Sequence, residues 1–112
     1  MKVTTEQQVH LFHILFVGSL FLYVGISKDR IPFFLYYILL ILGLIVIIYH
    51  LYKVIAKKTK QIWVSLIHII LVGPLLLFIG YKKQETSRKF YELLLMLAFA
   101  AIGYHGFYMF YS

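Results

Sequence analysis

Four stretches of this sequence are almost entirely apolar, and each is long enough to cross a lipid bilayer as a helix. They cover residues 9–26, 31–52, 62–81 and 90–111, and they contain 18, 22, 20 and 22 residues. A helix rises about 1.5 Å per residue, so roughly 20 apolar residues span the hydrocarbon core of a membrane. The stretches lack the alternation of apolar and polar residues that is typical of membrane β-barrels. The sequence therefore predicts an all-α membrane protein with four transmembrane helices.

The composition also indicates a membrane protein. Of the 112 residues, 62% are hydrophobic and 13% are charged, whereas soluble domains have roughly 45–50% and about 25%. At this length, residues 1–112 are expected to form a single transmembrane domain whose main partner is the lipid bilayer. The chain has no cysteine, which excludes thiolate metal ligands and cysteine nucleophiles. We therefore expect an integral, multi-pass membrane protein.

The positive charge lies in the connections between the apolar stretches. The net charge is +7, and one connection carries Lys53, Lys57, Lys58 and Lys60. Juxtamembrane lysines attract anionic lipid headgroups, so we expect headgroups rather than nucleic acid as the partner. Lys and Arg number six on one predicted side of the membrane and five on the other, which leaves the orientation open. A homo-oligomer is expected, either with one topology or with copies inserted both ways.

The sequence repeats itself with a period of 55 residues. Residues 9–53 align with residues 64–108 without a gap, and 17 of the 45 aligned pairs are identical. The most informative matches are the Tyr49-His50 pair with Tyr104-His105 and the single His13 with His68. Such a fixed period predicts an internal duplication. Each repeat holds two helices, so we expect a four-helix bundle of two tandem hairpins related by a pseudo-two-fold axis along the membrane normal.

The repeat places one histidine in each helix, all near the same membrane face. These are His13, His50, His68 and His105. Each is expected roughly 4–10 Å inside its helix end. Neutral imidazole is a common ligand for transition metal ions, and two histidines on facing helices can hold a haem iron. The four histidines are therefore the predicted ligands of a haem or a transition metal ion, for electron transfer, sensing or ion handling.

Several neighbouring positions are predicted to support this layer. A tyrosine directly precedes two of the histidines, and a small residue lies seven positions before each of these histidines. The residues occupy matching positions in the two repeats: Tyr49, Tyr104, Gly43 and Ala98. The small residues either leave room for a ligand or let a helix approach closely. His10 is treated as peripheral, because its repeat counterpart is Ser65.

Two other interpretations of the histidines remain open. Ionisable residues inside a membrane are often functional, so the layer predicts histidine gating or a proton relay in a small oligomeric channel or transporter. Histidine and tyrosine also favour the membrane interface without any function, which is the interpretation for a structural or assembly protein. No catalytic constellation is present, and enzyme activity is not favoured.

A second glycine pattern predicts close helix packing. It consists of Gly18, Gly25, Gly73 and Gly80, which are again repeat-matched. Small residues let transmembrane helices approach closely, so we expect helix contacts rather than ligand contacts here. Pro74 has no counterpart in the first repeat and is expected to kink the third helix or loosen its hydrogen bonds.

Overall fold

The computed structural model describes residues 5–57 and 62–111, apart from the side chains of Glu6 and Lys57. Within these residues the chain is helical almost throughout and contains no strand. We number four helices. Helix α1 consists of Thr5–Phe12, His13–Val17 and Gly18–Ser27; α2 of Phe34–Tyr52 and Lys53–Lys57; α3 of Ile62–Ile67, His68–Val72 and Gly73–Lys82; and α4 of Arg88–Tyr111. Short 3₁₀ turns, Lys28–Arg30 and Lys83–Glu85, follow α1 and α3.

All four described helices are long and apolar enough to cross a membrane, which confirms the predicted fold class at this level. The spans are Gln7–Arg30, Phe34–Ala56, Ile62–Glu85 and Arg88–Tyr111. Large apolar side chains point outward on every helix, including Leu15, Ile48, Ile70 and Met96. Such an apolar exterior suits lipid rather than water. Lys53, at the end of α2, places its Nζ atom 5.5 Å from the centre of the Tyr49 ring; Lys58 and Lys60 lie outside the described residues.

The helices group into two compact units, and neither unit corresponds to one half of the sequence. One unit contains α1 and α4, and the other contains α2 and α3. Each unit therefore takes one helix from residues 9–53 and one from residues 64–108. The two helices of a unit are antiparallel, because residues with increasing numbers on one helix contact residues with decreasing numbers on the other.

In the α2–α3 unit, glycines bring the two helices together. Tyr36, Leu39, Leu76 and Ile79 form its core, each with a relative exposure of 0%. A Cβ atom added to Gly80 would lie 2.7 Å from the Tyr36 carbonyl oxygen. One added to Gly73 would clash with the Ile47 side chain. The backbones meet where there is no side chain to separate them.

The α1–α4 unit makes the corresponding contacts with different residues. A Cβ atom on Gly18 would lie 2.7 Å from Cγ1 of Ile102, and one on Gly25 would lie 2.9 Å from Cβ of Leu95. The numbers differ by 55 from those of the α2–α3 unit: Gly18 and Ile102 occupy the positions of Gly73 and Ile47. The sequence repeat and the glycine contacts between helices thus have the same period of 55 residues.

Both α1 and α3 contain a wide π turn that begins at a histidine. The turns are His13–Val17 and His68–Val72. The N–H of Gly18 donates to the carbonyl of His13, and that of Gly73 to the carbonyl of His68. Pro74 follows the second turn, but α1 has the same widening before Ser19. The loosened ladder expected at Pro74 is therefore present, yet proline is not required for it. Single π turns occur often at functional sites.

Candidate functional site

The four predicted histidines form two stacked pairs, one in each unit. In the α2–α3 unit, the ring centres of His50 and His68 are 4.0 Å apart and the ring planes differ by 20°. In the α1–α4 unit, the corresponding values for His13 and His105 are 4.2 Å and 20°. Each pair joins a residue near the start of one helix to a residue near the end of its antiparallel neighbour. The histidines therefore meet across helix interfaces.

Within each pair, one imidazole is buried and the other is half-buried. The exposed fractions of His50 and His105 are both 8%, whereas His13 and His68 are more exposed. Burial of an imidazole is unfavourable unless its nitrogen atoms find hydrogen-bond partners. The surroundings of the two rings are therefore informative about their chemistry.

The two half-buried histidines have a fixed tautomer when neutral. Nδ1 of His13 lies 2.8 Å from the carbonyl oxygen of Val9, and Nδ1 of His68 lies 2.7 Å from that of Val64. A carbonyl oxygen can only accept a hydrogen bond, so Nδ1 carries the hydrogen and donates. The basic lone pair is then on Nε2, and a further proton binds there.

The two buried histidines each contact a polar residue that is not among the predicted site residues. Nδ1 of His105 lies 2.8 Å from Nδ1 of His10. Nδ1 of His50 lies 3.2 Å from Oγ of Ser65. His10 and Ser65 hold the same position in the two repeats, so the mismatch that made His10 look peripheral hides a shared role. A better signal was the spacing of three residues from His13 and from His68, which places both on the histidine face.

Aromatic residues flank the pairs in different ways. Tyr49 and Tyr104 lie edge-on to the histidines that follow them, with ring centres 5.2 and 5.1 Å apart. Tyr49 is otherwise directed outward, with an exposed fraction of 54%. In the α1–α4 unit, Tyr108 stacks on His10 with ring centres 6.3 Å apart. The position that matches Tyr108 in the first repeat is Lys53.

Gly43 and Ala98 were predicted either to leave room for a ligand or to let a helix approach, and Gly43 lies at a helix contact. A Cβ atom on Gly43 would be 3.0 Å from the carbonyl oxygen of Gly73 and 3.1 Å from Leu77. Ala98 has an exposed fraction of 0%. Helix α3 therefore fills the space beside Gly43. This agrees with the interpretation that the small residue lets a neighbouring helix approach closely.

A metal ion or a haem does not fit the histidine pairs in this geometry. Imidazole binds a metal through a nitrogen lone pair in the plane of the ring, at about 2.0–2.1 Å for zinc. Two nearly parallel rings about 4 Å apart hold these lone pairs in separate planes, so they do not point towards one position. A haem between the rings would have to separate them. Among the described residues, no group of three or more His, Cys, Asp or Glu side chains is arranged to hold a metal.

In the part of the chain that the structure describes, the fold and the site define an all-helical protein with four helices of membrane-spanning length and two stacked histidine pairs. No protein-family model, curated protein or solved structure matches the chain. The function must therefore be argued from the geometry of the pairs.

Proposed function

We propose that this protein is a small channel or transporter that responds to protons, which bind to its two histidine pairs near one face of the membrane. The overall structure that we propose is a four-helix transmembrane bundle that arose by duplication. The bundle associates into a homo-oligomer, and anionic headgroups contact the basic connection that follows Lys53. This function makes direct use of imidazoles that contact each other.

The observation that carries the proposal is the stacking of His50 on His68 and of His13 on His105. In each pair the half-buried histidine donates from Nδ1 to a backbone carbonyl oxygen, so an added proton on that ring would be carried by Nε2. A second proton would place two like charges about 4 Å apart. At an effective dielectric constant of about 20, their repulsion is on the order of 4 kcal/mol. Each pair is therefore expected to exist in a neutral and a singly charged form, and the doubly charged form is disfavoured.

A charge in the pair acts at one end of a tightly packed helix interface. In the α2–α3 unit, the contacts of Gly73 and Gly80 lie further along the helices, away from His50 and His68. The contacts of Gly18 and Gly25 have the same place in the α1–α4 unit. A newly charged, poorly hydrated imidazole favours water, so the helix ends separate at the histidines while the glycine contacts hold. This opening is the gating movement that we propose.

The recurrence of the contacts supports duplication. The Gly25–Leu95 and Gly80–Leu40 contacts also differ by 55 positions, as do the two stacked pairs. A protein with a purely interfacial histidine belt would have no need to turn these rings inward. The burial of His50 and His105 thus favours a role inside the helix interface over a purely interfacial one.

Proton flux in liposomes tests this function. The purified protein would be reconstituted with a pH-sensitive dye inside, and a potassium gradient with valinomycin would drive protons inward. The rate is expected to rise as the outer pH falls from about 7.5 to 5.5, the range in which histidine titrates. The double variant His50→Gln and His105→Gln should lose this rise.

Tyr52→Phe is the matched control, because Tyr52 lies near His50 in sequence but points outward with an exposed fraction of 53%. It should behave as the wild type. Flux no greater than that of empty liposomes, or an unchanged pH response in the double variant, would overturn the proposal and favour the structural alternative.

A further inference from the structure

Two lysines adopt a backbone conformation that normally belongs to glycine. Lys28 follows α1 with φ 54° and ψ −127°, and Lys83 follows α3 with φ 54° and ψ −126°. Among the described residues, they are the only two whose φ is positive. The angles are close to those of the first central residue of a type II′ turn, where glycine is favoured because it has no Cβ atom. Both lysines are therefore held in a strained conformation.

The two lysines occupy the same position in the two repeats, although the residues around them differ. Residues 26–35 align with residues 81–90, and Lys28 with Lys83 is the single identical pair of these ten. Inheritance from a duplicated segment does not by itself explain one retained residue among nine that have diverged. Backbone strain of this kind persists where a residue is needed for function. The observation therefore indicates a role for the two ammonium groups.

We propose that Lys28 and Lys83 bind the phosphate groups of anionic lipids at the membrane face opposite the histidine pairs. This inference goes beyond the proposed function and does not depend on it. It assigns a lipid contact to the turns after α1 and α3, in addition to the one proposed at the connection that follows Lys53.

The position of the lysines along their helices fits this role. Lys28 lies 15 residues beyond His13, and Lys83 lies 15 residues beyond His68, which is about 22 Å along a helix. Each lysine is two residues before the end of an apolar span of membrane-crossing length. Both side chains are half-buried. An aliphatic stem against the protein with the ammonium group at the interface is the usual arrangement of lysine at a membrane surface.

In the α2–α3 unit, an aromatic ring positions the ammonium group of Lys83. Its Nζ atom lies 5.0 Å from the centre of the Tyr37 ring on α2. Tyr37 is 49% exposed, and tyrosine rings favour the headgroup level of a membrane. The face of the ring attracts the ammonium group without neutralising its charge. The charge of Lys83 is thus held beside an outward-facing tyrosine, where a lipid phosphate can reach it.

Thr86 fixes the turn that presents Lys83. Its N–H donates to the carbonyl oxygen of Lys83 at 3.1 Å, and its hydroxyl group donates to the carbonyl oxygen of Ile79 at 3.4 Å. The N–H of Lys83 donates to the same Ile79 carbonyl. The backbone on both sides of the lysine is therefore hydrogen-bonded. A preorganised turn loses little conformational freedom when a ligand binds.

The charge of both turns favours an anionic ligand. Residues 82–89 contain four Lys and Arg side chains and one Glu, and residues 28–30 contain two basic side chains and one acidic. Clusters of basic residues next to a membrane span attract anionic headgroups. The larger excess of positive charge in residues 82–89 predicts that the site at Lys83 is the stronger of the two.

The dipole of the helix does not explain why these positions are lysines. A positive charge near the C-terminus of a helix is favourable, but a lysine with ordinary backbone angles supplies it without strain. Lys82 is such a residue, with φ −73° and ψ −26°. A strained lysine at the next position is needed only if the direction of its side chain matters.

Quenching of tryptophan fluorescence by brominated lipids tests the proposal in the full-length protein. Trp63→Phe removes the one native tryptophan. Tyr81→Trp then places a reporter two residues before Lys83, and Ile26→Trp places one two residues before Lys28; the two positions are 73% and 57% exposed. Each protein is reconstituted into phosphatidylcholine vesicles that contain either brominated phosphatidylglycerol or brominated phosphatidylcholine at the same fraction. The ratio of the two quenching efficiencies gives the relative binding constant of the anionic lipid.

The anionic lipid should be preferred at both reporters, and more strongly beside Lys83. Lys83→Gln should lower the preference there about fivefold, which corresponds to about 1 kcal/mol for one lysine near the headgroups. Lys83→Arg should keep the preference. Lys83→Gly should lose it while thermal stability in detergent does not fall, because the strain is relieved. A lysine that served only the fold would give the opposite result, namely lower stability with an unchanged lipid preference.

Lys82→Gln is the matched control, because it removes the same charge from an exposed neighbour with ordinary backbone angles. It acts only through the screened field of the turn and should lower the preference less than about twofold. Equal effects of Lys82→Gln and Lys83→Gln, or equal quenching by the two lipids in the protein without these substitutions, would overturn the proposal. Loss of the preference when sodium chloride is replaced by sodium phosphate at the same ionic strength would identify a free anion as the ligand and overturn the assignment to a headgroup.

Discussion

His50 and His68 lie face to face across the α2–α3 interface, with ring centres 4.0 Å apart and planes within 20° of parallel. The equivalent relationship joins His13 and His105. Face-to-face rings keep their nitrogen lone pairs in two nearly parallel planes, so the pair does not converge on a shared ion. The distinction between these two uses of histidine can be measured directly.

Purified protein is expected to be colourless and to contain no stoichiometric transition metal. The physical reason is that neither stacked pair converges on a ligand position. A visible spectrum and elemental analysis after purification in mild detergent check this, with haemin and zinc added separately as probes. A Soret band or bound zinc that disappears in His50→Ala and His105→Ala would restore the cofactor hypothesis at the expense of the proton-binding one.

A methyl group at Gly80 should destabilise the protein, and one at Gly103 should not. The Cβ atom of Gly80→Ala would lie 2.7 Å from the Tyr36 carbonyl oxygen, a backbone atom that cannot move aside alone. We expect a loss of about 1–3 kcal/mol. Nothing lies within 4 Å of a Cβ atom at Gly103, so Gly103→Ala should gain up to about 1 kcal/mol from its greater helix propensity.

Unfolding of both variants in detergent by a graded denaturant measures these differences. Gly103 lies on α4 in the α1–α4 unit, so Gly25→Ala, which meets Leu95 at 2.9 Å, provides the destabilised counterpart within that unit. Equal stability of Gly80→Ala and Gly103→Ala would contradict the close α2–α3 contact.

The pairing of α1 with α4 should be visible by cross-linking, and the chain has no native cysteine to interfere. A Cβ atom at position 18 would lie 2.7 Å from Cγ1 of Ile102. In Gly18→Cys combined with Ile102→Cys the clashing side chain is removed, and the two Cβ atoms come within the range of a disulfide. We expect oxidation to link them, as detected by a mobility shift after cleavage between α2 and α3.

The control keeps Gly18→Cys and moves the second cysteine to Gly103, where the added Cβ meets no neighbouring atom. This variant should remain reduced under the same conditions. Equal cross-linking of the two variants would indicate motion or packing inconsistent with the described unit.

Lys28→Gly should stabilise the turn after α1. Lys28 has φ 54° and ψ −127°, a conformation that suits glycine and is strained for residues with a Cβ atom. Relief of that strain is worth about 1–3 kcal/mol, less up to about 1 kcal/mol for the greater freedom of glycine in the unfolded chain. Thermal unfolding in detergent measures the gain. Lys82→Gly, at a residue with φ −73° and ψ −26°, should instead lower stability.

The helices were predictable from sequence, but their partners were not. Long apolar runs dictate helices wherever a bilayer is the solvent, and the runs at residues 9–26 and 62–81 correspond to α1 and α3. The choice of α4 as the partner of α1 depends on contacts between residues far apart in sequence, such as Gly18 with Ile102. No local pattern encodes that choice.

The sequence singles out the histidines that the structure brings together, but it does not predict their arrangement in stacked pairs. Repeat matching selects His13 and His105. A layer of four equivalent ligands and an arrangement of two stacked pairs both place these residues at the same helix ends, so the repeat alone does not distinguish the two arrangements. Identity between the repeats predicts a peripheral place for His10, because the matching residue is Ser65. Hydrogen-bonding capacity at a matched position, shared by His10 and Ser65, is the better criterion.

Because each unit combines a helix from each half of the sequence, neither half alone contains a complete histidine pair. A half-length chain would need a second copy of itself, and two identical copies would build two identical sites. Joining the halves covalently raises their effective concentration and also removes this symmetry. Only in the fused chain can one site keep histidine at position 10 while the other carries serine at position 65. A difference in residue between the two sites is thus something that a single polypeptide can carry and a symmetric dimer cannot.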